Sequence, residues 1–230
     1  MYTDPIPANI AKVLRELSTA AEKYRRDPAS ITLMAVSKTQ PEGAVRAAAA
    51  AGLRHFGENY LQEAVGKIDA CADLDLCWHY IGPIQSNKTR PIAEHFHWVH
   101  SVDREKVLRR LSEQRPAGLA DLNICLQVNI SGEDSKSGVD SSALEQLLAV
   151  ADALPRLHLR GLMAIPAPQE NFVEQKAACD QLAALFARAQ QAYPSLDTLS
   201  MGMSADMEAA IAAGSTLLRI GTAIFGSRRR

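Results

Sequence analysis

Lys38 stands where a short apolar segment, residues 31–37, ends. The apolar pattern predicts a buried strand, and loops and ligands gather at the carboxyl ends of parallel strands in α/β barrels. A lysine amine there can act as a nucleophile toward a carbonyl carbon, because partial desolvation favours its neutral form. By position alone, Lys38 is also compatible with an ordinary solvated lysine at a strand end.

Two segments late in the chain carry residue types that bind phosphate groups. The first ends in Ser204, close to Asp206 and Glu208 in the first turn of a predicted helix. The second, residues 218–226, supplies glycines where backbone can approach a ligand closely. A small hydroxyl at a helix start together with glycine amides is the usual makeup of a phosphate site in a barrel. The same glycines are compatible with plain tight turns, and Arg219 with a structural ion pair inside the barrel.

Several histidines and cations leave two interpretations open. His79 alternates with Trp78 and Tyr80 in a strand pattern, so it is either a polar pocket residue or a packed core histidine. Three other histidines straddle a helix end and a strand, which favours packing roles over a metal site; they are His95, His97 and His100. Lys88 and Arg90 either attract a phosphate or form a solvated helix face.

The elements that position these residues alternate regularly. Eight apolar segments have the length of strands: residues 31–37, 53–57, 77–84, 98–102, 122–130, 157–165, 198–203 and 217–225. Between them lie seven segments with helical periodicity: residues 41–51, 60–70, 86–95, 103–114, 142–153, 170–192 and 206–213. This alternation predicts parallel βαβ units, and eight such strands close a (β/α)₈ TIM barrel of about this length. A doubly wound open sheet is the alternative, but no GxGxxG motif follows the first strand.

A helix is expected ahead of the barrel. One apolar stripe predicts it, formed by Ile10, Val13, Leu14 and Leu17. Residues 1–28 are therefore expected to be a helical extension of a single domain that spans residues 1–230. Capping boxes are predicted at two helix starts, Thr39 with Glu42 and Ser142 with Glu145.

Composition excludes several classes of protein. The 230 residues carry a formal net charge of -1, which gives no general attraction to nucleic acid or to anionic membranes. Four scattered cysteines without a CxxC spacing, and no apolar stretch of ~20 residues, predict a cytoplasmic protein in a reducing compartment.

Two further segments have a polar composition. Residues 131–139 are typical of a mobile lid or of a solvated loop, and the final three arginines are typical of a frayed tail.

Six segments of the chain resemble, in the same order, the motifs of the pyridoxal phosphate (PLP) homeostasis protein family, whose fold is similar to the barrel domain of bacterial alanine racemase. They are AVSKTQP, HFGENYLQEA, WHYIGPIQSNKTR, QVNISGEDSKSGV, GLMAIP and SMGMSADMEAAIAAGSTLLRIGTAIFG, within residues 31–226. Together the six motifs are highly specific for this family, whereas any one motif alone would be only moderately specific. Gln40 departs from the pattern, since many relatives are expected to have lysine there.

The resemblance implies a role for each matching residue. Lys38 would form a Schiff base with pyridoxal 5′-phosphate, and Arg219 would face the pyridine nitrogen. The phosphate would be held by Ser204, Gly221 and Thr222, and the pocket lined by Asn59 and Met163. A permanently cationic arginine cannot accept the proton of the ring nitrogen, so it would make PLP a weak electron sink.

The family further implies a protein of intracellular PLP homeostasis that holds the cofactor without robust turnover and delivers it to PLP-dependent apo-enzymes. The alternative is a PLP-dependent amino-acid racemase, and a third hypothesis is a barrel for another phosphorylated metabolite. A two-base racemase takes its second base from an additional β-domain. The sequence ends at Arg230, soon after the eighth predicted strand, so we expect that base to be missing. We also expect a monomer, with no metal.

Overall fold

The computed structural model describes residues 5–131 and 137–226, in which eight parallel strands close into a barrel in the order of the chain. The strands are β1 Thr32–Val36, β2 His55–Glu58, β3 Cys77–Tyr80, β4 Trp98–Val102, β5 Leu122–Gln127, β6 Leu157–Met163, β7 Thr198–Ser200 and β8 Leu217–Ile220. Pairing of β1 with β8 closes the ring. The predicted (β/α)₈ barrel is confirmed, and the open-sheet alternative is wrong.

Helices cover the outside of the barrel. They are α1 Ile6–Lys23, α2 Glu42–Ala50, α3 Leu61–Ala70, α4 Thr89–His95, α5 Glu105–Gln114, α6 Leu144–Ala153, α7 Phe172–Ala192, α8 Met207–Ala212 and α9 Thr222–Phe225. The helix expected ahead of the barrel is α1, which packs against α8 and α9. Val13 and Leu17 lie at the centre of its buried stripe, whereas Leu14 lies at the edge and is 42% exposed. Leu14 therefore lies outside the buried part of the predicted stripe, and the assignment of residues 1–28 as a domain extension stays a prediction.

The strands are short and buried because helices cover one face and the other faces the lumen. β8 is buried over its whole length. Along each strand, side chains that point into the lumen alternate with side chains that point to the helices. Met34 lies in register with His55 of β2 and with Arg219 of β8, so these three side chains share the lumen side.

The end of the eighth strand differs from its prediction. The strand was expected to run through Phe225, but β8 ends at Ile220 and residues 222–225 form α9. The amides of Ile224 and Phe225 both donate to Gly221 O, at 3.0 and 2.9 Å, and these bonds turn the chain into a helix. An apolar run of this length cannot distinguish a strand from a strand followed by one helical turn.

Neither predicted capping box forms. Pro41 is the N-cap residue of α2, and Thr39 instead takes a left-handed φ of 64° and donates its N–H to a glutamate of α3. α6 begins at Leu144, two residues after Ser142. The hydroxyl and amide of Ser142 both bond to Asp140 Oδ1, at 2.6 and 2.8 Å. At Ser142 the competing bonds are local, to Asp140 in the preceding turn, whereas the Thr39 amide bonds Glu63, 24 residues away.

Two predictions lie wholly or partly outside the described residues, namely the tail over Arg228–Arg230 and the central part, residues 132–136, of the loop 131–139. On the described flanks of that loop, Val128 and Val139 form a parallel bridge. None of the described helices combines the length and the apolar character that crossing a bilayer requires.

Candidate functional site

The candidate site lies at the mouth formed by the carboxyl ends of the strands. Lys38 follows β1, Asn59 follows β2 and Met163 ends β6. Ser204 follows β7, and Gly221 with Thr222 follows β8, which contains Arg219. Because the barrel is closed and parallel, these residues come from the same end of the molecule. β8 and β1 are neighbours, so Lys38 and the Gly221–Thr222 turn extend from adjacent strands.

The geometry of the first strand end favours the lumen side for Lys38. The Ser37 amide donates to Gly57 O at 3.0 Å, so the pairing of β1 with β2 continues to this residue. The Ser37 hydroxyl donates to Glu58 Oε1 at 2.6 Å, on the helix side of the sheet. Neighbouring residues of an extended strand point to opposite faces, so continuing this alternation by one residue directs the half-buried Lys38, in the turn after β1, toward the lumen side.

A buried ionic cluster underlies this strand end, and sequence reasoning missed it. Lys67 of α3 donates to Ser37 O at 2.7 Å and to Glu58 Oε1 at 2.8 Å, and it also bonds Glu63. Glu63 Oε1 in turn accepts the Thr39 amide at 2.6 Å. The backbone on both sides of Lys38 is therefore held by one cluster. Burial raises the pKa of Glu58, and its bonds to Lys67 and Ser37 act in the opposite direction.

Arg219 lies in the lumen, with only 4% of the residue exposed. Nη1 donates to Ser200 O at 2.6 Å and to Ser200 Oγ at 2.9 Å, while Nη2 donates to Ala164 O at 2.8 Å. All three acceptors are neutral, and within the described part of the chain Arg219 forms no ion pair. The structural ion pair considered for Arg219 is therefore absent there. Burial lowers the pKa of Arg219 to about 10, so the guanidinium is still cationic at neutral pH.

The turn after β8 meets the turn after β7. The exposed Ser204 hydroxyl accepts the Ala223 amide at 3.4 Å, in the first turn of α9. Gly202 has a φ of 96°, and a Cβ atom there would lie 2.5 Å from Ala210 Cβ. Glycine is therefore required for its backbone conformation and for its packing against α8, which sets the direction of the Ser204 turn.

The two residues expected to line the pocket differ in their surroundings. Met163 is 1% exposed and lies in register with Ser200, which places it on the lumen side beside Arg219. Asn59 is half-buried, and its Oδ1 atom is buried without a hydrogen-bond partner in the described part of the chain. A buried acceptor in this state is available to a ligand.

The predicted groups of histidines and cations do not form one site. His100 lies in the lumen, whereas His97 accepts the Trp78 amide at 3.0 Å and His95 contacts Pro91 O at 2.9 Å. These contacts place His95, His97 and His100 in separate surroundings, as the predicted packing roles require. Lys88 and Arg90 are exposed, as a solvated helix face would be. His79 is fully buried in the lumen, between His55 and His100.

The closed barrel and its polar mouth place the chain among the (β/α)₈ barrels of the alanine racemase type. A family model described as alanine racemase, N-terminal domain, matches residues 9–229. A pyridoxal phosphate homeostasis protein from Pseudomonas aeruginosa is 61% identical over 223 residues, which cover 97% of this chain and 96% of that protein. A protein of the same name from Escherichia coli K12 is 54% identical over 226 residues, covering 97% of each. The chain belongs to the pyridoxal phosphate homeostasis protein family.

Solved structures agree with this assignment. PipY of Synechococcus elongatus PCC7942, solved with PLP bound, is 39% identical with a TM-score of 0.78, covering 91% of this chain and 100% of PipY. PipY without PLP gives a TM-score of 0.85 and covers 96% of this chain. Alanine racemase from Corynebacterium glutamicum is 16% identical with a TM-score of 0.73, and it shares the fold with this chain over 62% of its own length.

Proposed function

We propose that this protein binds pyridoxal 5′-phosphate as a Schiff base on Lys38 and holds it for intracellular PLP homeostasis rather than for turnover. The observation that supports this most is the adjacency of two strand ends. The turn after β1 carries Lys38, and the end of the neighbouring strand β8 carries the Gly221–Thr222 turn. An amine and a turn with amide donors on adjacent strands suit a ligand with an aldehyde and a phosphate.

Several groups at the mouth have hydrogen-bonding capacity that the described residues do not use. Asn59 Oδ1 is buried without a partner. Arg219 uses three of its five N–H hydrogens in the described part of the chain, which leaves Nε–H and one hydrogen on Nη2. The unused Arg219 hydrogens fit an acceptor on an aromatic ring, and the Gly221–Thr222 turn beside Ser204 fits the anionic end of such a ligand.

The residues of the chain then have distinct roles. When bound, PLP supplies an aldehyde for an amine to attack and a ring that can withdraw electrons. The ionic cluster of Lys67, Glu58 and Glu63 fixes the backbone that carries the Lys38 amine. Ser204, Gly221 and Thr222 hold the phosphate. Arg219 donates a hydrogen bond to the unprotonated ring nitrogen, so the site binds the cofactor but activates it weakly.

The experiment that tests this is mass mapping of a reduced adduct. Purified protein should be yellow, and borohydride reduction should fix one PLP on the peptide that contains Lys38. Lys38→Ala should be colourless and should gain no mass. Lys88→Ala, which removes an exposed lysine, is the matched control and should behave as the wild type. A colourless wild type that ignores added PLP would favour a barrel for another phosphorylated metabolite.

Turnover decides between a holder and a racemase. We expect deuterium exchange at the α-carbon of L- and D-amino acids to be far below the ~10 per second of a typical enzyme. Exchange at that rate would establish the racemase alternative. Activation of a PLP-dependent apo-enzyme by the loaded protein, faster than by free PLP, would support delivery.

We also propose that the protein is a cytoplasmic monomer. Four cysteines that are all unpaired thiols support a reducing compartment. Sedimentation of the loaded protein measures its mass directly, and a dimer would contradict the second part of this proposal.

A further inference from the structure

The lumen of this barrel is unusually polar. Barrel interiors are generally filled by branched apolar side chains. Here five strands contribute hydrogen-bonding side chains that contact one another: His55 of β2, His79 of β3, His100 of β4, Ser200 of β7 and Arg219 of β8. His79, His100 and Ser200 are completely buried. Buried polar groups are costly unless they are hydrogen-bonded, so this arrangement requires a physical explanation.

The five side chains form one continuous chain of hydrogen bonds. His55 Nδ1 lies 2.9 Å from His79 Nε2, and His79 Nδ1 lies 2.9 Å from His100 Nε2. His100 Nδ1 lies 3.0 Å from Ser200 Oγ, which accepts Arg219 Nη1 at 2.9 Å. Trp98 stacks on the rings of His79 and His100, with centroid distances of 5.4 and 5.6 Å. The chain therefore crosses the lumen from β2 to the proposed cofactor contact on β8.

The hydrogens available on each side chain fix which residue donates and which accepts in this series of hydrogen bonds. Arginine can only donate, so Ser200 Oγ accepts from Arg219 and its own hydrogen must go to its other partner, His100 Nδ1. His100 then carries its hydrogen on Nε2 and donates to His79 Nδ1. His79 likewise carries its hydrogen on Nε2 and donates to His55 Nδ1. The opposite direction leaves the Ser200 hydroxyl hydrogen without an acceptor among the described residues.

Both central histidines are uncharged at neutral pH. Burial lowers the pKa of His79 well below its ordinary value. Burial and the nearby charge of Arg219 lower the pKa of His100 to about 3. A neutral, directed chain accepts from the guanidinium at one end and adds no second positive charge to the lumen.

The direction of hydrogen-bond donation from Ser200 through His100 to His79 argues against a metal site in the lumen. His55, Cys77 and His79 bring one potential ligand atom each within 4.8 Å of one another. A metal bound there would need the lone pair of His79 Nε2, the atom that carries the hydrogen in the directed chain. Binding would reverse the tautomers of His79 and His100 and leave the Ser200 hydroxyl unsatisfied.

We propose that His79, His100 and Ser200 are positioning residues for Arg219: they fix the guanidinium so that its remaining N–H hydrogens meet the pyridine nitrogen of the cofactor. This inference rests on the proposed function, because the contact between Arg219 and the ring belongs to it. Ser200 acts directly through Oγ and its carbonyl. His100 holds the Ser200 hydroxyl, and His79 holds the His100 tautomer.

The direction of the chain can be measured without any cofactor. In ¹⁵N-labelled wild-type protein, two-bond ¹H–¹⁵N spectra distinguish histidines protonated on Nε2 from those protonated on Nδ1. We expect His79 and His100 to be neutral Nε2–H tautomers at pH 7. An Nδ1–H tautomer or an imidazolium at either position would overturn the inference. Because this measurement needs no PLP, it tests the direction of the hydrogen bonds independently of the proposed function.

The positioning role is tested with loaded protein. Replacing His100 with phenylalanine removes the acceptor for Ser200, and we expect about 10-fold weaker PLP binding, a shifted absorption band and an altered pH dependence of that band. H100Q, whose amide oxygen can accept the Ser200 hydrogen, should recover part of the loss. H158Q, which changes an exposed histidine, should match the wild type. If H100F fails to fold, H100Q and S200A carry the test.

The spectrum separates positioning from a merely structural role. A folded H100F or S200A variant with the wild-type absorption band and wild-type PLP affinity would refute the inference. If Lys38 carries PLP in the adduct experiment but the variants keep the wild-type spectrum and affinity, the proposed function is supported and the positioning role is refuted.

Discussion

Replacing Lys67 with methionine tests whether the buried ionic cluster supports the strand end that carries Lys38. Methionine keeps the length of the side chain but removes its charge and its donors. Glu58, which is 0% exposed, loses the only cation that contacts it in the described part of the chain. Ser37 O loses a hydrogen bond of 2.7 Å, and Glu63 loses its partner within α3. Removing one member of a buried ion pair typically costs 3 to 5 kcal/mol.

Protonation of Glu58 limits this cost and makes it depend on pH. Burial already raises the pKa of Glu58 above its usual 4.5, and the loss of Lys67 raises it further. Keeping a proton on Glu58 at pH 7 costs about 1.4 kcal/mol for each of 2.5 pH units, or ~3.4 kcal/mol. A raised folded pKa means that stability is lost as pH rises, so the same cost is only ~1.4 kcal/mol at pH 5.5.

Urea unfolding of Lys67→Met and wild type at both pH values measures this difference. We expect the stability deficit of the variant to shrink between pH 7 and pH 5.5 by at most about 2 kcal/mol, because the raised pKa of Glu58 gives the wild type a smaller loss of the same sign. Lys12→Met is the matched control, because Lys12 pairs with Glu16 at 3.8 Å on an exposed helix face and should contribute less than ~1 kcal/mol. An equal deficit at the two pH values would show that Glu58 does not become protonated, and the reasoning would fail.

Three further predictions concern the mouth and the lumen. Arg219→Glu should raise the basicity of the ring nitrogen and change the absorption spectrum of bound PLP; an unchanged spectrum would mean that Arg219 does not contact the ring. Ser204→Ala should weaken PLP retention, measured by equilibrium dialysis, by ~1.5 to 3 kcal/mol for one lost charge-assisted hydrogen bond; unchanged retention would remove Ser204 from the phosphate site. The depressed pKa values of His79 and His100 mean that the unfolded chain binds more protons below pH 6.5, so stability should fall as pH falls through 6.5, by ~1.4 kcal/mol per pH unit for each histidine. Unfolding curves between pH 7 and 5.5 should show this slope in the wild type and a smaller slope in His100→Phe.

The fold could be predicted because its determinants repeat along the chain. Each strand is a short run buried on both faces, and each intervening helix has its own periodicity. Eight repetitions leave little choice of architecture. The ends of the elements could not be predicted as well, since they depend on single local bonds. Ser142 bonds Asp140 instead of capping α6, and β8 ends at Ile220, five residues before its predicted end, where two amides bond Gly221 O.

The candidate site was only partly predictable, because many of its contacts join residues that are far apart in the sequence. Lys38 and Ser204 stand at strand ends, a position that sequence patterns reveal. The ionic cluster joins Lys67 to residues 9 and 30 positions away, and the only local signal was the four-residue spacing of Glu63 and Lys67 on one helix. The lumen chain joins residues from five strands, and no pattern within one strand could distinguish His79 from a packed histidine.

Arg219 connects the electrostatics of the barrel with its proposed role. The buried guanidinium keeps its positive charge, and in the described part of the chain its contacts to Ser200 and Ala164 are all to neutral acceptors. The protein as a whole has a formal charge of only -1, so attraction of an anionic ligand must come from such a local charge. A carboxylate in place of Arg219 would hold a proton on the ring nitrogen and strengthen electron withdrawal, while repelling the phosphate-bearing ligand. In the proposed function, one residue would thus favour retention of the cofactor and disfavour its chemistry, as storage of PLP requires.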